Sequence, residues 1–433
     1  MSTAFLIVSL IGLAFTVNAL WPVRLEAIDG PSFMAGWLTS ELPLQHLAWQ
    51  TVATVIFGLF GAFNGIDGRI GLVATFLSWV GLVVLARQQS QAEKVLTAAL
   101  AEATLVTGAM AQSPGDSGGW RLGALVRFLL PFWIGDRRVS VTPDLAYWTG
   151  QPDTATKSNA KPNAKSSSKA HLLDIYRRAD LPENCPVYLY IHGGGWVIGD
   201  KKQQGMPLIK DLAARGWVCV SINYRLSPGA TFPDHLIDAK RALAWVRQNI
   251  GRHGGDPGMV VVGGGSAGGH LASLVGLTAN DPEYQPGFAE IDSTVSAVMS
   301  FFGVYDFTNR KRARRPGRAM ARLLAKVVMK TRLEDDPAGY AKASPIDRVK
   351  ESAPPFFVIH GRNDSLVPVQ EARDFAAALR QRSLRPVVYA ELPFTQHAFD
   401  TFHSERVRHV TRAGVDFAEA IRAGLGAVEP TPT

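Results

Sequence analysis

Cysteine is almost absent from this chain, whose 433 residues include only Cys185 and Cys219. Two thiols cannot form the network of disulfide bonds that stabilises small secreted proteins, and nothing in the sequence requires these two to pair. Apolar residues make up 47% of the chain, which is enough for a large hydrophobic core and excludes a disordered protein. The length suggests two or three structural units rather than one.

Charged residues are also scarce, at 19% of the chain, and they are missing from three long segments near the N-terminus. These uncharged segments cover residues 1–23, 42–66 and 70–86. A helix needs roughly 17–25 apolar residues to cross a bilayer, so we predict a transmembrane region over residues 1–90. Its three helices are expected at about residues 3–21, 43–65 and 70–86. The first segment could instead be a cleaved signal peptide, but it lacks the basic residues of a signal and would leave the other two unexplained.

The charges that flank these helices indicate their orientation. An N-terminus outside the cell would place Arg24, Arg87 and Lys94 inside and only Arg69 outside. Since positive residues favour the cytoplasmic side, this count predicts a multi-pass membrane protein with a cytoplasmic C-terminal region. The formal net charge of +8 would also suit an anionic membrane surface.

Residues 91–135 are predicted to form cap or interfacial helices. Their first part is rich in alanine and leucine, and their second part places Arg121 and Arg127 among Trp, Phe and Leu side chains. A helix lying at a membrane interface has this composition. A helix packed on the soluble core would use the same apolar residues, so both placements remain open.

From residue 136 to residue 425, short apolar runs that suit buried strands alternate with segments that suit helices. Such alternation predicts an α/β domain with a mainly parallel sheet and helices on both faces. Within it, residues 151–170 have almost no apolar side chain to bury and are predicted to form a mobile insertion. Arg225 and Asp238 are expected to pair and hold a loop of the domain.

The domain is arranged around a glycine-rich turn at residues 264–268, Gly-Gly-Ser-Ala-Gly. The turn follows a β-branched run typical of a buried strand and precedes a helix-forming segment. A serine at such a junction projects its hydroxyl beyond the sheet, and the small residues Gly264 and Gly268 leave room for a substrate carbonyl. Ser266 is therefore the predicted nucleophile, although a lone motif of this kind could also be a plain glycine turn.

A second glycine motif, His-Gly-Gly-Gly at residues 192–195, follows another buried strand. Consecutive glycines allow a turn that exposes backbone N–H groups, which is what stabilisation of an oxyanion requires. The predicted oxyanion hole consists of the N–H groups of Gly193, Gly194 and Ala267. His192 and Gly195 complete the motif.

Two further loops supply the partners of a catalytic serine. Asp364 and His397 each follow a predicted strand, and a parallel sheet would bring the ends of these strands to one edge. The order Ser266, Asp364, His397 is that of α/β-hydrolase triads. His397 would take the serine proton as the oxygen attacks a carbonyl carbon, and Asp364 would orient the imidazole, so that an acyl-enzyme forms. Other histidines of the domain lack the right loop, namely His270, His360, His403 and His409.

At these residues the chain resembles the hormone-sensitive-lipase group of α/β-hydrolase esterases, whose motifs are His-Gly-Gly-Gly and Gly-Asp/Glu-Ser-Ala-Gly-Gly. The resemblance spans residues 141–424 and includes Tyr-Arg-Leu-Ser-Pro at 224–228 and Ala-Ser-Pro-Ile at 343–346. It implies an α/β-hydrolase fold and hydrolysis of carboxylic esters with short or medium acyl chains, without a metal or organic cofactor. Gly265 departs from the pattern, because many members carry an acidic residue before the serine. Membrane-anchored members of the superfamily include arylacetamide deacetylases and prenylcysteine methylesterases, which would suit a role in lipid metabolism.

Residues 306–342 leave the strand pattern, and their position matches the lid insertion of such hydrolases. The first half of this lid is strongly basic, so it could face anionic lipid or form a solvated charged surface. Nucleic acid is not an expected partner, because no stacking aromatic residues lie between the arginines.

Together, the transmembrane region and the motifs predict a membrane-bound serine esterase or lipase, with membrane lipid and a small-molecule or lipid-like ester as its partners. An amidase or deacetylase would use the same triad. A non-catalytic receptor with a hydrolase fold is a further alternative, but such proteins usually lose a triad residue.

Overall fold

The computed structural model describes residues 1–23, 29–103, 128–132, 135–149, 169–180, 183–312 and 319–424. Its centre is an eight-stranded sheet with the strand order β1-β2-β4-β3-β5-β6-β7-β8. The strands are β1 (Val139–Ala146), β2 (Leu172–Arg178), β3 (Cys185–Ile191), β4 (Val218–Ile222), β5 (Gly255–Gly265), β6 (Ala297–Phe301), β7 (Phe356–Gly361) and β8 (Val387–Leu392). β2 is antiparallel to β1 and β4, and the remaining neighbours are parallel. The prediction of a mainly parallel sheet is therefore confirmed.

Helices precede, connect and follow these strands. Within the described residues the helices are α1 (Ser2–Leu20), α2 (Asp29–Glu41), α3 (Pro43–Leu59), α4 (Ile66–Glu102), α5 (Met206–Ala214), α6 (Asp234–Asn249), α7 (Ala267–Leu277), α8 (Ala319–Leu323), α9 (Pro337–Lys342), α10 (Val369–Arg382) and α11 (Glu405–Arg422). A π-helical turn, Leu324–Val328, follows α8. Short 3₁₀ helices lie at Ala62–Asn64, Ile250–His253, Pro282–Tyr284, Pro345–Arg348 and Phe399–Thr401.

Alternate side chains of the central strand β3 point to opposite faces of the sheet, and helices cover both faces. One buried cluster, shared with α6, α7 and α10, contains Val187, Leu189 and Ile191. The other, shared with α4, α5 and α11, contains Tyr188 and Tyr190. Because both faces are covered, β3 is buried along its whole length, as parallel strands usually are. Cys185 and Cys219 belong to different clusters and are both free thiols.

α1 packs in parallel against the first half of α4 through small and hydroxyl-bearing side chains. Thr3 Oγ1 donates to Asp67 at 2.7 Å, and Thr75 Oγ1 donates to Ser9 Oγ at 2.9 Å. A Cβ atom on Gly71 would lie only 2.9 Å from the Phe5 ring, so glycine permits this close approach. Small-residue interfaces of this kind are common between membrane helices.

α1 and α4 are each long and apolar enough to cross a membrane. α3 has 17 residues and ends at Leu59, before the predicted residue 65. Large apolar side chains are exposed on all three helices: Ile7, Leu10, Ile11 and Phe15 on α1, Val52, Val55 and Ile56 on α3, and Ile70, Val73, Phe76 and Leu77 on α4. Two of the three predicted spans thus have the required length and composition, and the third stays a prediction.

α4 differs from the prediction in its second half. The expected span ended at residue 86, but the helix continues past Arg87 to Glu102. Ala92, Leu96 and Leu100 of this second half are buried in the cluster on the sheet. The predicted boundary at residue 90 therefore falls inside one helix, because charge ends a membrane span without ending a helix. Residues 104–127 of the predicted cap segment and residues 151–168 of the predicted insertion lie outside the described residues.

The predicted lid at residues 306–342 contains α8, the π-helical turn and α9, whereas residues 313–318 lie outside the described ranges. Leu324 and Val328 are buried in the core, and the N–H of Phe232 donates to Val328 O at 3.0 Å. Two basic side chains of the lid form ion pairs within the domain, Arg310 with Asp347 and Lys311 with Asp374. These pairs favour an ion-paired protein surface over a lipid-binding one for this part of the lid.

Candidate active site

Ser266 occupies the sharp turn between β5 and α7. Its backbone has φ 56° and ψ −119°, a conformation that L-residues rarely adopt and that costs about 1–3 kcal/mol. The N–H of Ser266 donates to Phe301 O at 2.9 Å and holds the turn against β6. Glycine is needed beside it, because a Cβ atom on Gly268 would overlap Ile191 O. The side chain of Ser266 is left half-buried at the carboxyl edge of the sheet.

His397 lies between Ser266 and Asp364. Its Nε2 is 2.8 Å from Ser266 Oγ, and its Nδ1 is 2.7 Å from Asp364 Oδ2. The imidazole is buried and meets the ring of Phe302 edge-on, with the centroids 4.7 Å apart. The three side chains that the sequence indicated therefore form one hydrogen-bonded line at the carboxyl edge of the sheet.

Asp364 is buried, and its carboxylate accepts several hydrogen bonds. The N–H groups of Leu366 and Val367 donate to Oδ1 at 2.9 and 2.7 Å, and His360 Nε2 lies 3.1 Å from Oδ2. Burial alone would raise the pKa of Asp364, but the charge of His397 and the hydrogen bonds from His360 and His397 outweigh it and lower that pKa. Asp364 is thus held as a carboxylate, which can orient an imidazole and stabilise its protonated form.

Gln396 is a supporting residue that the sequence motifs do not reveal. Its Oε1 accepts hydrogen bonds from the N–H of Ser365 at 2.7 Å and from the N–H of His397 at 3.0 Å. One buried side chain therefore ties the loop of Asp364 to the loop of His397. Only its position next to His397 could have indicated this role.

The glycine motif at residues 192–195 passes next to the serine. A Cβ atom on Gly193 would lie 3.0 Å from Ser266 Cβ. The structure differs from the sequence prediction at this glycine, because its N–H donates to Gln204 Oε1 at 2.8 Å and is therefore already engaged. The motif alone could not indicate this contact, since Gln204 lies beyond it in the chain.

Gly194, Gly195 and Ala267 carry backbone N–H groups that have no acceptor among the described residues. Gly194 and Gly195 have φ of 117° and 60°, which glycine adopts without strain. Among the hydrogen bonds of the described residues, none involves the N–H of either glycine. The N–H of Ala267 begins α7 and therefore has no acceptor within that helix. These three groups are available to an oxygen atom bound next to the serine.

His192 supports the glycine motif as a neutral side chain. Its Nδ1 lies 2.7 Å from Gly193 O, and its ring stacks on Tyr224 with the centroids 4.6 Å apart. Burial lowers the pKa of His192 to about 4, so the imidazole is uncharged at neutral pH. A Cβ atom on Gly199 would overlap the same ring, so glycine is required there as well.

His270 lies near the site but has a structural environment. Its Nε2 is 2.8 Å from Ala343 O, and Trp196 Nε1 donates to its Nδ1 at 3.3 Å. Burial lowers the pKa of His270 to about 4. Among the described histidines, His397 alone hydrogen-bonds Ser266.

The chain is similar to known proteins both within the α/β domain and over its whole length. A family model named BD-FAE matches residues 173–379. The chain is 41% identical over 436 residues to "Probable carboxylic ester hydrolase LipM" of Mycobacterium tuberculosis, with 99% of this chain and 95% of that protein covered. It is 37% identical over 402 residues to "Esterase LipQ" of the same organism, with 90% and 84% covered.

The chain belongs to the family of carboxylic ester hydrolases that includes LipM. It is therefore an enzyme that hydrolyses carboxylic esters, as the sequence predicted. Because the similarity to LipM covers 99% of the chain, the relationship includes the N-terminal helices as well as the domain that carries Ser266.

Solved structures share the fold of this ester hydrolase. The "Truncated form of carbohydrate esterase from gut microbiota" has a TM-score of 0.54 at 22% identity, with 66% of this chain and 99% of that chain covered. The "Thermogutta terrifontis esterase 2 phosphonylated by sarin" has a TM-score of 0.50 at 26% identity, with 60% and 92% covered. The ester hydrolase thus has the α/β-hydrolase fold that its sequence predicted.

Proposed function

We propose that this ester hydrolase uses Ser266 as its nucleophile, His397 as its general base and acid, and Asp364 as the carboxylate that orients His397. The observation that carries the proposal is the pair of hydrogen bonds of 2.8 and 2.7 Å that His397 makes to the other two residues. The buried, charged Asp364 supports it, because a carboxylate at Nδ1 leaves Nε2 unprotonated and ready to accept the serine proton.

The reaction follows from these positions. Ser266 Oγ attacks the ester carbonyl carbon while His397 takes its proton, and the carbonyl oxygen becomes an oxyanion. We propose that the N–H groups of Gly194, Gly195 and Ala267 bind this oxyanion, and losing one such donor typically costs about 10²–10³ in rate. His397 then gives its proton to the leaving alcohol, and water activated by the same imidazole hydrolyses the acyl-enzyme.

We further propose that α1, α3 and the first half of α4 span a membrane, with the domain that carries Ser266 on the cytoplasmic side. The two ends of α1 support this topology. Ser2 lies against Gly65 at the far end of the bundle, whereas Ala19 O accepts a hydrogen bond from Asn363 of the α/β domain. An odd number of spans places the N-terminus and the domain on opposite sides, and the charge count favours the domain inside.

The proposed substrates are short- to medium-chain or lipid-like carboxylic esters. The test is hydrolysis of p-nitrophenyl esters from acetate to palmitate by the full-length protein in detergent, beside Ser266→Ala and the control Ser273→Ala. Ser273 lies on the same helix, and its hydroxyl donates to Gly269 O. Ser266→Ala should lower kcat about 10⁶-fold, and Ser273→Ala should keep most of the activity. Turnover that survives in Ser266→Ala would reject the assigned nucleophile.

A covalent label gives an independent test of Ser266. Thermogutta terrifontis esterase 2 is phosphonylated by sarin, so we expect a fluorophosphonate probe to label this chain once. Peptide mass mapping should locate the adduct at Ser266, and Ser266→Ala should remain unlabelled. Matched p-nitroanilides, run beside the esters, separate ester hydrolysis from the amidase alternative.

A further inference from the structure

The N-terminal helices contact both loops that carry the proposed triad. Asn363 Nδ2 donates to the carbonyl oxygens of Ala19 and Leu20 at 3.2 and 3.0 Å, at the end of α1. Trp37 Nε1 of α2 donates to Ala398 O at 2.9 Å. Asn363 directly precedes Asp364, and Ala398 directly follows His397. The end of α1 and the helix α2 are therefore built against the site itself.

α2 also places an aromatic side chain at the catalytic imidazole. The ring of Phe33 meets the ring of His397 edge-on, with the centroids 6.3 Å apart and the planes at 71°. Phe33 is half-buried and stacks on Trp37 at 5.6 Å, and Trp37 packs on Phe402 at 4.5 Å. This aromatic row fixes Phe33 in place while leaving part of its ring uncovered.

The lid reaches the site through the glycine motif. Leu323 Cδ2 would lie 3.5 Å from a Cβ atom on Gly195. Phe33 therefore lies near His397, and Leu323 lies near the glycine motif. Both side chains are apolar, as the binding site of an acyl chain requires.

The apolar surface of the N-terminal helices extends to the end of the bundle that contacts the α/β domain. Exposed apolar side chains near the end of the bundle that touches the α/β domain are Trp21, Met34, Leu44, Leu129, Leu130 and Phe132. The segment 128–132 is held there because Gln45 Nε2 donates to Phe128 O at 3.2 Å. Exposed Trp, Leu and Phe side chains at the ends of membrane helices are typical of the lipid–water interface. The lipid layer is therefore the occupant that this surface fits.

We propose that Phe33 contacts the bound ester, and that the serine site takes this ester from the lipid layer around the N-terminal helices. The inference rests on the proposed function, because it assigns a pocket wall to the triad built on Ser266. The substrate class is an amphiphilic ester whose carbonyl lies at the depth of the lipid headgroups and whose chain lies among apolar side chains.

Phe33→Ala tests the contact, with Leu384→Ala as the control for the loss of an apolar side chain away from that surface, since Leu384 of the α/β domain is 65% exposed. The full-length protein in detergent is assayed with p-nitrophenyl butyrate and dodecanoate. We expect Phe33→Ala to lower the ratio of kcat/KM for the long ester to that for the short ester about 10-fold, because hydrophobic pocket contacts discriminate chain length on this scale. Phe33→Leu should restore much of the ratio, and Leu384→Ala should leave it unchanged.

Two outcomes would overturn this contact. A ratio in Phe33→Ala that equals the wild-type ratio would exclude Phe33 from the pocket. An equal fall of kcat for both esters with unchanged KM would reduce Phe33 to a positioning residue for His397. In either case serine-dependent hydrolysis of the butyrate would leave the proposed function standing, whereas hydrolysis that persists in Ser266→Ala would remove the proposed function itself.

The source of the substrate is tested in phosphatidylcholine vesicles that contain the full-length protein. p-Nitrophenyl palmitate is loaded either into these vesicles or into protein-free vesicles that are then mixed with them. Delivery through the lipid layer predicts an initial rate at least about 10-fold higher in the first arrangement, because the ester must otherwise cross water against its hydrophobic transfer free energy. Equal rates would refute delivery from the layer, and water-soluble p-nitrophenyl acetate should react equally in both mixtures.

Discussion

A buried ion pair joins the N-terminal helices to the α/β domain. Arg406, at the start of α11, donates to Glu41, at the end of α2, and both side chains are fully buried. Ser404 Oγ also donates to Glu41 at 2.9 Å, and Gln89 Nε2 donates to the backbone oxygen of Glu41 at the same distance. Burial raises the pKa of Glu41, and the positive charge of Arg406 opposes this shift. Each charge therefore depends on the other.

Glu41→Gln should destabilise the protein strongly. It would remove the negative charge that compensates the buried guanidinium of Arg406, whose other acceptors among the described residues are Ser40 O at 3.4 Å and Phe394 O at 3.5 Å. Breaking a buried pair by removing one partner costs about 3–5 kcal/mol. At about 2 °C per kcal/mol for a long chain, the midpoint of thermal unfolding should fall by about 6–10 °C.

The assay is thermal unfolding followed by tryptophan fluorescence, in one detergent and at one heating rate, with ester hydrolysis measured in parallel. Glu41→Gln with Arg406→Met should recover most of the loss, because no uncompensated charge remains buried. The control is Glu334→Gln, since Glu334 is 67% exposed in its pair with Arg332 and should cost less than about 1 kcal/mol. A Glu41→Gln midpoint equal to that of the control, or a double variant as unstable as the single one, would refute the reasoning.

Two further predictions concern the glycine motif and a buried acid. Gln204→Leu removes the acceptor of the Gly193 N–H and should lower the free energy of unfolding by roughly 1–3 kcal/mol, the cost of an unpaired buried donor. The exposed neighbour variant Gln203→Leu should unfold like wild type, and equal unfolding midpoints of the two variants would contradict this role. Burial raises the pKa of Asp400 to about 7, from 3.8 in the unfolded chain, so the folded state loses stability as pH rises between these values, by at most about 4 kcal/mol. Asp400→Asn should therefore unfold at a higher temperature than wild type at pH 8 and near the wild-type temperature at pH 4, and a gap that is equal at both pH values would contradict this assignment.

The fold and the proximity of Ser266, His397 and Asp364 could be predicted because each sequence signal is local and the topology of the sheet brings the three loops together. Each of the three residues follows a buried run, and parallel strands bring their carboxyl ends to one edge. The expected pair of Arg225 and Asp238 also forms, with Nε and Nη2 at 2.8 and 2.9 Å from the carboxylate oxygens. In each case a short stretch of sequence and the topology together determine the contact.

The end of the predicted membrane region could not be located in the same way. A hydropathy pattern shows where charged residues begin, but it does not show where a helix ends, because α4 continues past Arg87 to Glu102. What decides the continuation is the sheet, which buries Leu96 and Leu100 against a face assembled from strands far along the chain. The hydrogen bond of the Gly193 N–H could not be predicted for a related reason, since the side chain that accepts it comes from outside the motif.

The contact between the N-terminal helices and the triad has the weakest sequence signal. An uncharged segment has the same composition whether it only anchors the α/β domain or also contacts the site. The distinction lies in a few polar side chains among the apolar ones. Asn18 Nδ2 donates to Ser32 O at 2.6 Å, and Gln89 Nε2 donates to Ser40 O at 2.7 Å, so each fixes one end of α2. Helices that only anchored the domain would not require buried amide side chains at these positions, since a buried amide without a hydrogen-bond partner would cost about 1–3 kcal/mol. These amides hold α2, whose Trp37 Nε1 donates to Ala398 O beside His397, so a fragment beginning at residue 91 would lose this contact with the loop of His397.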